Sequence, residues 1–352
     1  MRESQKTIET WINSGQKIAL ATVVRTWGSS PRSVGAKMAI REDGVFVGSV
    51  SGGCVEGAVI EVGLDVLKTA EPQLLHFGVT DESAWEVGLA CGGEIDVFVQ
   101  KLEPISYAQT SDVYASDSSV AMVTIIQGPD ELVGRQIVLL DDGTFTSSDV
   151  RLFDPSTSDE IKRLLNEGVS FAIQGRMSDA DPAELFVDII RPPPTLVIIG
   201  GAHISVALVQ VAKQMGYHTV LIDPRQVFTK EERFSNLDTR ITAWPQEVLK
   251  EQSLTSSTAI AVLTHDPKID DPSLLIALRS DAFYIGVLGS RKTQDKRRKR
   301  LIEAGISKKD IDRLRGPIGL DIGASTPEEI ALAIMAEIIA VRHGRDGETM
   351  TI

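Results

Sequence analysis

The feature that most restricts the fold is a regular alternation of strand-like and helix-like segments that begins at Thr195. Short runs rich in β-branched residues occur at residues 196–199, 219–222, 259–263 and 283–287. Segments with helical periodicity occur at residues 203–215, 272–278 and 293–303. Such alternation is typical of a parallel sheet that is covered by helices on both faces. Residues 194–352 are therefore predicted to form a Rossmann-like, doubly wound domain.

The last helix of this domain has clear start and stop signals. Thr326 is the expected N-cap, Pro327 stands at the first helical position, and Glu329 completes a capping box. The helix is expected to run to about His343 and to stop at Gly344.

A triple proline marks the start of the Rossmann-like domain. Arg191 is followed by Pro192, Pro193 and Pro194, and consecutive prolines favour an extended connector over a helix or a central strand. We therefore expect an N-terminal domain at residues 1–104, a second α/β unit at residues 105–193 and the Rossmann-like domain at residues 194–352.

The first two parts are interpreted as one mixed α/β unit present twice, with the second copy degenerate. Ala21-Thr22-Val23-Val24 recurs as Val123-Thr124-Ile125-Ile126, and the nine-residue spacing from Gly35 to Gly44 recurs from Gly134 to Gly143. In each copy an Asp-Gly pair is expected to turn one strand into the next. The alternative is that such a pattern recurs by chance in an α/β protein.

Composition narrows the class of protein. Hydrophobic residues make up 42% of the 352 residues and charged residues 24%, as in a globular protein. The formal net charge of −13 disfavours nucleic acids and anionic membranes as partners, because both are polyanions. The longest apolar stretch, residues 330–341, is too short to span a membrane, and residues 1–11 lack the apolar core of a signal peptide. With only two cysteines, a cytoplasmic protein is expected.

The first candidate site lies at the start of the Rossmann-like domain. A strand-like run is followed by a glycine turn and a helix start, where backbone amides favour a phosphate. Asp223 stands at the end of the next strand, where an acidic residue would take a ribose hydroxyl. Ala202 occupies the position of the second fingerprint glycine, which argues against tight NAD binding. The candidate residues are Gly200, Gly201, His203, Ser205 and Asp223. The alternative is a turn that serves only the architecture.

A second anion site is expected where the strand at residues 283–287 ends. Ser290 and Arg291 follow Gly289 and open a helix, so both are predicted to lie near a ligand. Seven of the ten residues from 291 to 300 are Lys or Arg, and we expect Lys296 to Arg300 to form a surface or contact a partner. His265-Asp266, at another strand end, is expected to be a polar turn rather than a catalytic pair.

Both cysteines of the chain stand beside a pair of glycines. The two segments are Ser51-Gly52-Gly53-Cys54 and Cys91-Gly92-Gly93-Glu94, with Glu56 close to the first. Gly-Gly pairs can leave backbone amides free to hold an anion, and such amides favour a thiolate that can act as a nucleophile or soft-metal ligand. The candidate residues are Ser51, Gly52, Gly53, Cys54, Glu56, Cys91, Gly92 and Gly93.

The thiols have a simpler alternative interpretation. Free cysteines are often buried, inert and apolar in character. A permanent zinc site is not expected, because two cysteines without clustered histidines do not complete a tetrahedron. Both cysteine segments lie in the first copy of the repeat and have no counterpart after residue 105. The second copy is therefore expected to be a packing or spacing element.

With these residues in place, the chain resembles the XdhC/CoxI family of xanthine dehydrogenase accessory factors. The N-terminal segments that carry the resemblance are Ala21-Thr22-Val23-Val24, Gly28-Ser29-Ser30-Pro31, Val50-Ser51-Gly52-Gly53-Cys54-Val55-Glu56 and Ala90-Cys91-Gly92-Gly93. The C-terminal segments are Asp223-Pro224-Arg225, Leu263-Thr264-His265-Asp266, Gly289-Ser290-Arg291 and Pro317-Ile318-Gly319-Leu320-Asp321-Ile322-Gly323-Ala324. The chain departs from the family at Gly200-Gly201-Ala202-His203, where Gly-Ala-Gly-His is usual, and at Arg315, where a histidine is frequent.

The resemblance implies a homodimeric chaperone. Such a protein binds molybdenum cofactor (molybdopterin), supports its sulfuration and delivers it to a molybdenum hydroxylase of the xanthine dehydrogenase kind, with a cysteine desulfurase as a further partner. On this interpretation Cys54 and Cys91 are transient molybdenum ligands or sulfur carriers, and the Rossmann-like domain holds the phosphate or nucleotide end of the cofactor.

Two other classes of function stay open at the sequence level. An NAD(P)-dependent oxidoreductase would bind a nicotinamide cofactor at the glycine turn. A regulatory protein would keep an empty Rossmann-like domain, and substitution of either cysteine would leave its function intact.

Overall fold

The computed structural model describes residues 2–78, 92–104, 107–108, 119–146, 153–177, 181–234 and 236–349. The chain forms two compact units, Met1–Pro192 and Pro193–Ile352. No helix in these ranges is long and apolar enough to cross a membrane.

The first unit begins with a five-stranded antiparallel sheet, in the order β3-β2-β1-β5-β4. Its strands are β1 (Ile18–Trp27), β2 (Lys37–Arg41), β3 (Phe46–Gly48), β4 (Gln73–Phe77) and β5 (Glu94–Lys101). Helix α1 (Arg2–Asn13) precedes the sheet, and α2 (Glu56–Thr69) connects β3 to β4. Val59 and Val66 of α2 are fully buried against the apolar side chains of β1, β2 and β5.

A second antiparallel sheet follows in the same unit, in the order β7-β6-β9-β8. Its strands are β6 (Val120–Gln127), β7 (Gln136–Leu140), β8 (Phe171–Arg176) and β9 (Pro182–Ile190). Helix α3 (Pro155–Glu167) packs on this sheet through buried Ile161 and Leu164.

Four of the five strands of the first sheet recur in the same order in the second sheet, in agreement with the predicted repeat. Strand β6 takes the place of β1, with β7, β9 and β8 in the places of β2, β5 and β4. The ladder between the two central strands is interrupted at the same point in both sheets, between Val23 and Arg25 and between Ile125 and Gln127. The shared bulge fixes the matching of residues between the copies.

The two sheets also pack against each other within the first unit. Val24 and Phe98 of the first sheet form one buried cluster with their matching residues Ile126 and Phe186 of the second. Two ion pairs cross the same interface, Arg25 with Glu184 and Lys37 with Asp188.

The second unit contains a six-stranded parallel sheet, which confirms the predicted doubly wound fold. The strand order is β12-β11-β10-β13-β14-β15. The strands are β10 (Thr195–Ile199), β11 (His218–Ile222), β12 (Thr239–Ile241), β13 (Thr258–Val262), β14 (Tyr284–Val287) and β15 (Leu314–Arg315). The order reverses between β10 and β13, so the crevice for ligands in such folds lies where these two strands end.

Helices cover both faces of this sheet. They are α4 (His203–Gln214), α5 (Pro245–Glu251), α6 (Pro267–Ala277), α7 (Arg291–Glu303), α8 (Lys308–Ile311) and α9 (Pro327–Arg342). The capping box of α9 is confirmed, because the Thr326 side chain accepts from the Glu329 amide and the Glu329 side chain accepts from the Thr326 amide.

Two details of this unit differ from the sequence predictions. Helix α6 begins at Pro267 rather than Pro272, because Asp266 caps it and Pro267 occupies the first turn. The basic run is not wholly a surface, since Arg297 is 1% exposed and forms an ion pair with fully buried Asp270. Arg300 is paired with Asp271, and Arg298 donates to two backbone carbonyls.

Candidate functional site

The candidate site predicted from the two Gly-Gly-cysteine segments lies at the end of the first sheet where β1 ends and β5 begins. The loop at residues 28–36 connects β1 to β2 at this end, and the loop at residues 49–55 connects β3 to α2. Gly92 and Gly93 lead into β5. Cys91 lies outside the described residues, so its predicted role stays a prediction.

The loop at residues 49–55 is built around the carboxylate of Glu56, the first residue of α2. One carboxylate oxygen accepts from the Ser49 hydroxyl at 2.6 Å and from the amides of Val50, Ser51 and Gly52 at 3.1, 2.9 and 3.1 Å. The other accepts from the Ser51 hydroxyl and from the Gly53 amide at 2.8 Å. Glu56 is 8% exposed, so these bonds compensate the burial of its charge.

These contacts keep Glu56 ionised. Burial opposes ionisation, but the hydrogen bonds from Ser49, from Ser51 and from the loop amides outweigh it and lower the pKa of Glu56 to about 2. This differs from the expectation that the glycine amides are free to hold a ligand anion. The Gly52 and Gly53 amides already donate to the Glu56 carboxylate. Glu56 and these two amides therefore organise the loop.

Ser51 connects the loop to the residues that directly precede α2. Its hydroxyl accepts from the amides of Cys54 at 3.0 Å and Val55 at 2.9 Å, in addition to its own bond to Glu56. Gly52 and Gly53 have φ values of +81° and +120°, which residues with a side chain rarely adopt. The result is a tightly bonded loop from which Cys54 is exposed to solvent. The alternative of a buried, inert thiol does not apply to Cys54.

The loop after β1 touches both glycine pairs. A Cβ atom on Gly93 would lie 2.4 Å from the Ser29 carbonyl oxygen, so only glycine fits against this loop. On the other side, a Cβ atom on Gly52 would lie 3.9 Å from the Pro31 side chain. The fold therefore brings the Cys54 loop and the Gly92-Gly93 segment to the same end of the first sheet, with residues 28–31 between them.

Within the Rossmann-like unit, the carboxylate of Asp223 forms hydrogen bonds with other residues of the protein. Its carboxylate accepts from the Gly201 amide at 2.9 Å, the Arg225 amide at 2.9 Å and the Arg225 guanidinium at 2.9 and 2.8 Å. Burial raises the pKa of Asp223, but the bonds from Arg225 and Gly201 outweigh this and hold it below its ordinary value. Because Asp223 is fully buried, it holds the glycine turn in place instead of facing a ribose.

The glycine turn itself is closely packed. A Cβ atom on Gly201 would lie 2.1 Å from the Phe228 carbonyl oxygen, and one on Gly200 would lie 2.5 Å from the Thr264 methyl group. Buried Ser205 donates to the Gly200 carbonyl. His203, the first residue of α4, is the exposed member of the predicted set.

The other predicted residues of this unit lie at neighbouring strand ends. Ser290 is the exposed N-cap of α7 and accepts from the Thr293 amide at 3.3 Å, and Arg291 beside it is exposed. His265 is exposed with φ +70°, and Asp266 caps α6 at the end of β13. In the described ranges, no three His, Cys, Asp or Glu side chains are grouped to hold a metal ion.

Together these features define a class of protein with two parts. The first is a repeated antiparallel α/β unit that exposes a thiol, and the second is a Rossmann-like unit. The model of the XdhC Rossmann domain matches residues 196–338, and that of the XdhC and CoxI family matches residues 11–78. The chain therefore belongs to the XdhC and CoxI family, which confirms the predicted resemblance.

Named relatives span nearly the whole chain. A probable xanthine dehydrogenase subunit of Bacillus subtilis is 27% identical over 95% of this chain and 96% of its own length. The molybdenum cofactor insertion chaperone PaoD of Escherichia coli is 26% identical, over 94% of this chain and 85% of its own. The crystal structure of a xanthine dehydrogenase from Bacillus halodurans matches with a TM-score of 0.76 and 26% identity, covering 98% of this chain and 97% of that one.

Proposed function

We propose that this chain is an accessory protein that binds molybdenum cofactor and assists its insertion into a molybdenum hydroxylase of the xanthine dehydrogenase kind. Family membership and the two relatives that span most of the chain support this role. The proposal makes the cofactor a cargo that the protein holds and passes on.

The observation that carries the proposal is the exposed thiol of Cys54. Thiolates are ligands that soft metal centres prefer, and the loop that holds Cys54 is fixed by Glu56 and Ser51. A rigid loop lowers the entropy lost on binding, so little ordering is required when the cargo arrives. We therefore assign Cys54 as the residue that contacts the molybdenum end of the cofactor, with Cys91 as its partner.

The finer parts of the proposal concern the other end of the cargo and the protein's partners. The exposed residues at the strand ends of the Rossmann-like unit, His203, Ser290 and Arg291, are assigned to the phosphate or nucleotide tail. Gly200, Gly201, Ser205 and Asp223 keep that surface in shape. We further propose that the chain acts as a homodimer and that a cysteine desulfurase supplies sulfur for the bound cofactor.

The proposal is tested by anaerobic titration of the full chain with purified molybdenum cofactor. Wild type is compared with Cys54→Ser and Cys91→Ser, each of which leaves one thiol because the chain has two cysteines. We expect Cys54→Ser to weaken binding at least about tenfold, the loss of one good ligand contact. Absence of binding by wild type, together with binding of NAD(P), would contradict the proposal and favour an oxidoreductase.

A further inference from the structure

A histidine outside the predicted site is held at the same end of the first sheet. His76 of β4 lies opposite Asp96 of β5, and its Nδ1 atom is 2.7 Å from the Asp96 carboxylate. Asp96 is 5% exposed, whereas the His76 side chain is 55% exposed. A buried carboxylate therefore orients an imidazole that solvent can reach.

The contact with Asp96 determines which nitrogen of the imidazole is available to other groups. An ionised carboxylate can only accept a hydrogen bond, so in a neutral ring this contact selects the tautomer in which Nδ1 carries the proton and Nε2 is an acceptor. The Nε2 atom is 4.0 Å from the Glu94 carboxylate, and a Cβ atom on Gly78 would lie 3.3 Å from Nε2. The glycine thus leaves space beside this acceptor.

Further contacts keep the pair in place and extend its surface. Asp96 also accepts from Arg25 at 2.5 Å, so its position does not depend on the histidine alone. The Trp27 ring meets the His76 ring edge to face, with centroids 6.1 Å apart, and is 45% exposed. An exposed aromatic ring beside an oriented acceptor suits a flat heterocycle that carries hydrogen-bond donors.

The second sheet contains a version of this arrangement that lacks the imidazole. There Gln174 pairs with Glu184 at the position where His76 pairs with Asp96, and its amide donates to the Glu184 carboxylate at 2.9 Å. A donor to the buried carboxylate is therefore enough for the fold.

Two residues near His76, Glu94 and Trp27, are likewise replaced in the second sheet. Pro182 stands two residues before Glu184, as Glu94 stands two before Asp96. Pro129 follows the bulge of β6 at the position that Trp27 holds after the bulge of β1. The imidazole, the second carboxylate and the exposed ring thus occur only in the copy that carries the cysteine loop.

We propose that His76 is a ligand-binding residue whose Nε2 atom accepts a hydrogen bond from a donor on the heterocyclic part of the cargo, with Asp96 as its positioning residue. The inference rests on the proposed function, because it assumes that the cargo binds at the Cys54 end of the first sheet. It adds to that function a contact for the organic part of the cofactor.

The test is anaerobic titration of the full chain with molybdenum cofactor, for His76→Gln against wild type. A glutamine at this position can donate to Asp96 as Gln174 donates to Glu184, so the fold is expected to persist, with a melting temperature within about 2 °C of wild type. We expect the affinity to fall about tenfold, and the alkylation rate of Cys54 in the free protein to stay unchanged.

The matched control is Gln174→His, which places the same imidazole and carboxylate in the sheet without the cysteine loop. We expect this variant to bind the cofactor as wild type does. Equal affinity of wild type and His76→Gln for the cofactor would overturn the proposed role of His76 and would leave the proposed function intact. Absence of binding by wild type would overturn the proposed function and this inference together.

Discussion

The two sheets of the first unit share a strand order, a bulge and a packing face, yet they differ at one end. In the first sheet that end carries the Cys54 loop, the oriented His76 and the exposed Trp27. In the second sheet, Gln174 takes the position of His76, and no cysteine occurs in the sequence after residue 91. Both ends are compatible with the same fold. The requirements of folding therefore do not explain why the first sheet has these residues and the second does not.

The two copies also start their connecting helices in different ways. Helix α3 begins with a local cap, in which the Asp154 side chain accepts from the Thr157 amide at 2.8 Å. Helix α2 begins with Glu56, whose carboxylate accepts six bonds from the preceding loop. A simple cap is enough to begin a helix, so the larger network serves to hold the loop that exposes Cys54.

The largest loss of stability is expected from substitution of Arg25, a charged residue at the interface between the two sheets that the second copy replaces with Gln127. Arg25 donates to Asp96 and pairs with Glu184, and both carboxylates are at least nine-tenths buried. Arg25→Ala leaves the two carboxylates without this partner and is expected to lower the free energy of unfolding by about 3 kcal/mol. The matching residue of the second sheet, Gln127, is exposed, and Gln127→Ala is expected to cost less than about 0.5 kcal/mol. Chemical denaturation of the full chain measures both, and similar losses would contradict the asymmetry.

A smaller effect is expected from the two helix starts. Glu56→Gln removes the charge that the loop amides bind and places an amide donor among them, at an expected cost of about 2 kcal/mol. Asp154→Asn is its matched control, because asparagine caps a helix about as well as aspartate and is expected to change stability by less than about 0.5 kcal/mol. A stable Glu56→Gln protein whose Cys54 is alkylated at the wild-type rate would show that the network does not hold the loop.

The same network predicts a dependence on pH. The folded protein lowers the pKa of Glu56 from about 4.5 to about 2, so the contribution of Glu56 to stability is present above about pH 4.5 and is lost as the pH falls towards 2. The stability difference between wild type and Glu56→Gln is therefore expected to shrink over this window. Acid denaturation curves of the two proteins measure it, and a difference that grows with acidity would have the wrong sign.

The smallest effect on stability is expected at Cys54 itself. The side chain is exposed, so Cys54→Ser is expected to change the free energy of unfolding by less than about 0.5 kcal/mol. Thermal unfolding measures this change. A larger loss would mean that the thiol supports the fold and would weaken its assignment to the cargo.

Much of the architecture could be predicted from the sequence, because it depends on local patterns. The four predicted strands of the Rossmann-like unit are confirmed to within one residue at each end. The repeat is visible in the sequence, because the spacing from Gly35 to Gly44 equals that from Gly134 to Gly143. Strand periodicity, turn glycines and helix caps act over a few residues, so one sequence contains them.

The contacts that shape the sites could not be predicted in the same way. The sequence predicts Glu56 to be a ligand-binding residue. Its internal role depends on how the loop folds back over the helix start, and no local pattern shows this. Arg297 stood in a basic run typical of a solvated surface, and its partner Asp270 comes from another helix. His76 gave no signal on its own. Its pairing with Asp96 is a register contact, which could be found by aligning the copies and comparing it with Gln174 and Glu184.

The most direct test of the central claim is whether molybdenum cofactor protects Cys54. The full chain is alkylated under anaerobic conditions with and without saturating cofactor, and the modified Cys54 peptide is quantified by mass spectrometry. If the cargo binds at the end of the first sheet, alkylation of Cys54 slows at least about tenfold when the cofactor is bound. Bound cofactor with an unchanged rate of Cys54 alkylation would contradict the assignment of the site to this loop.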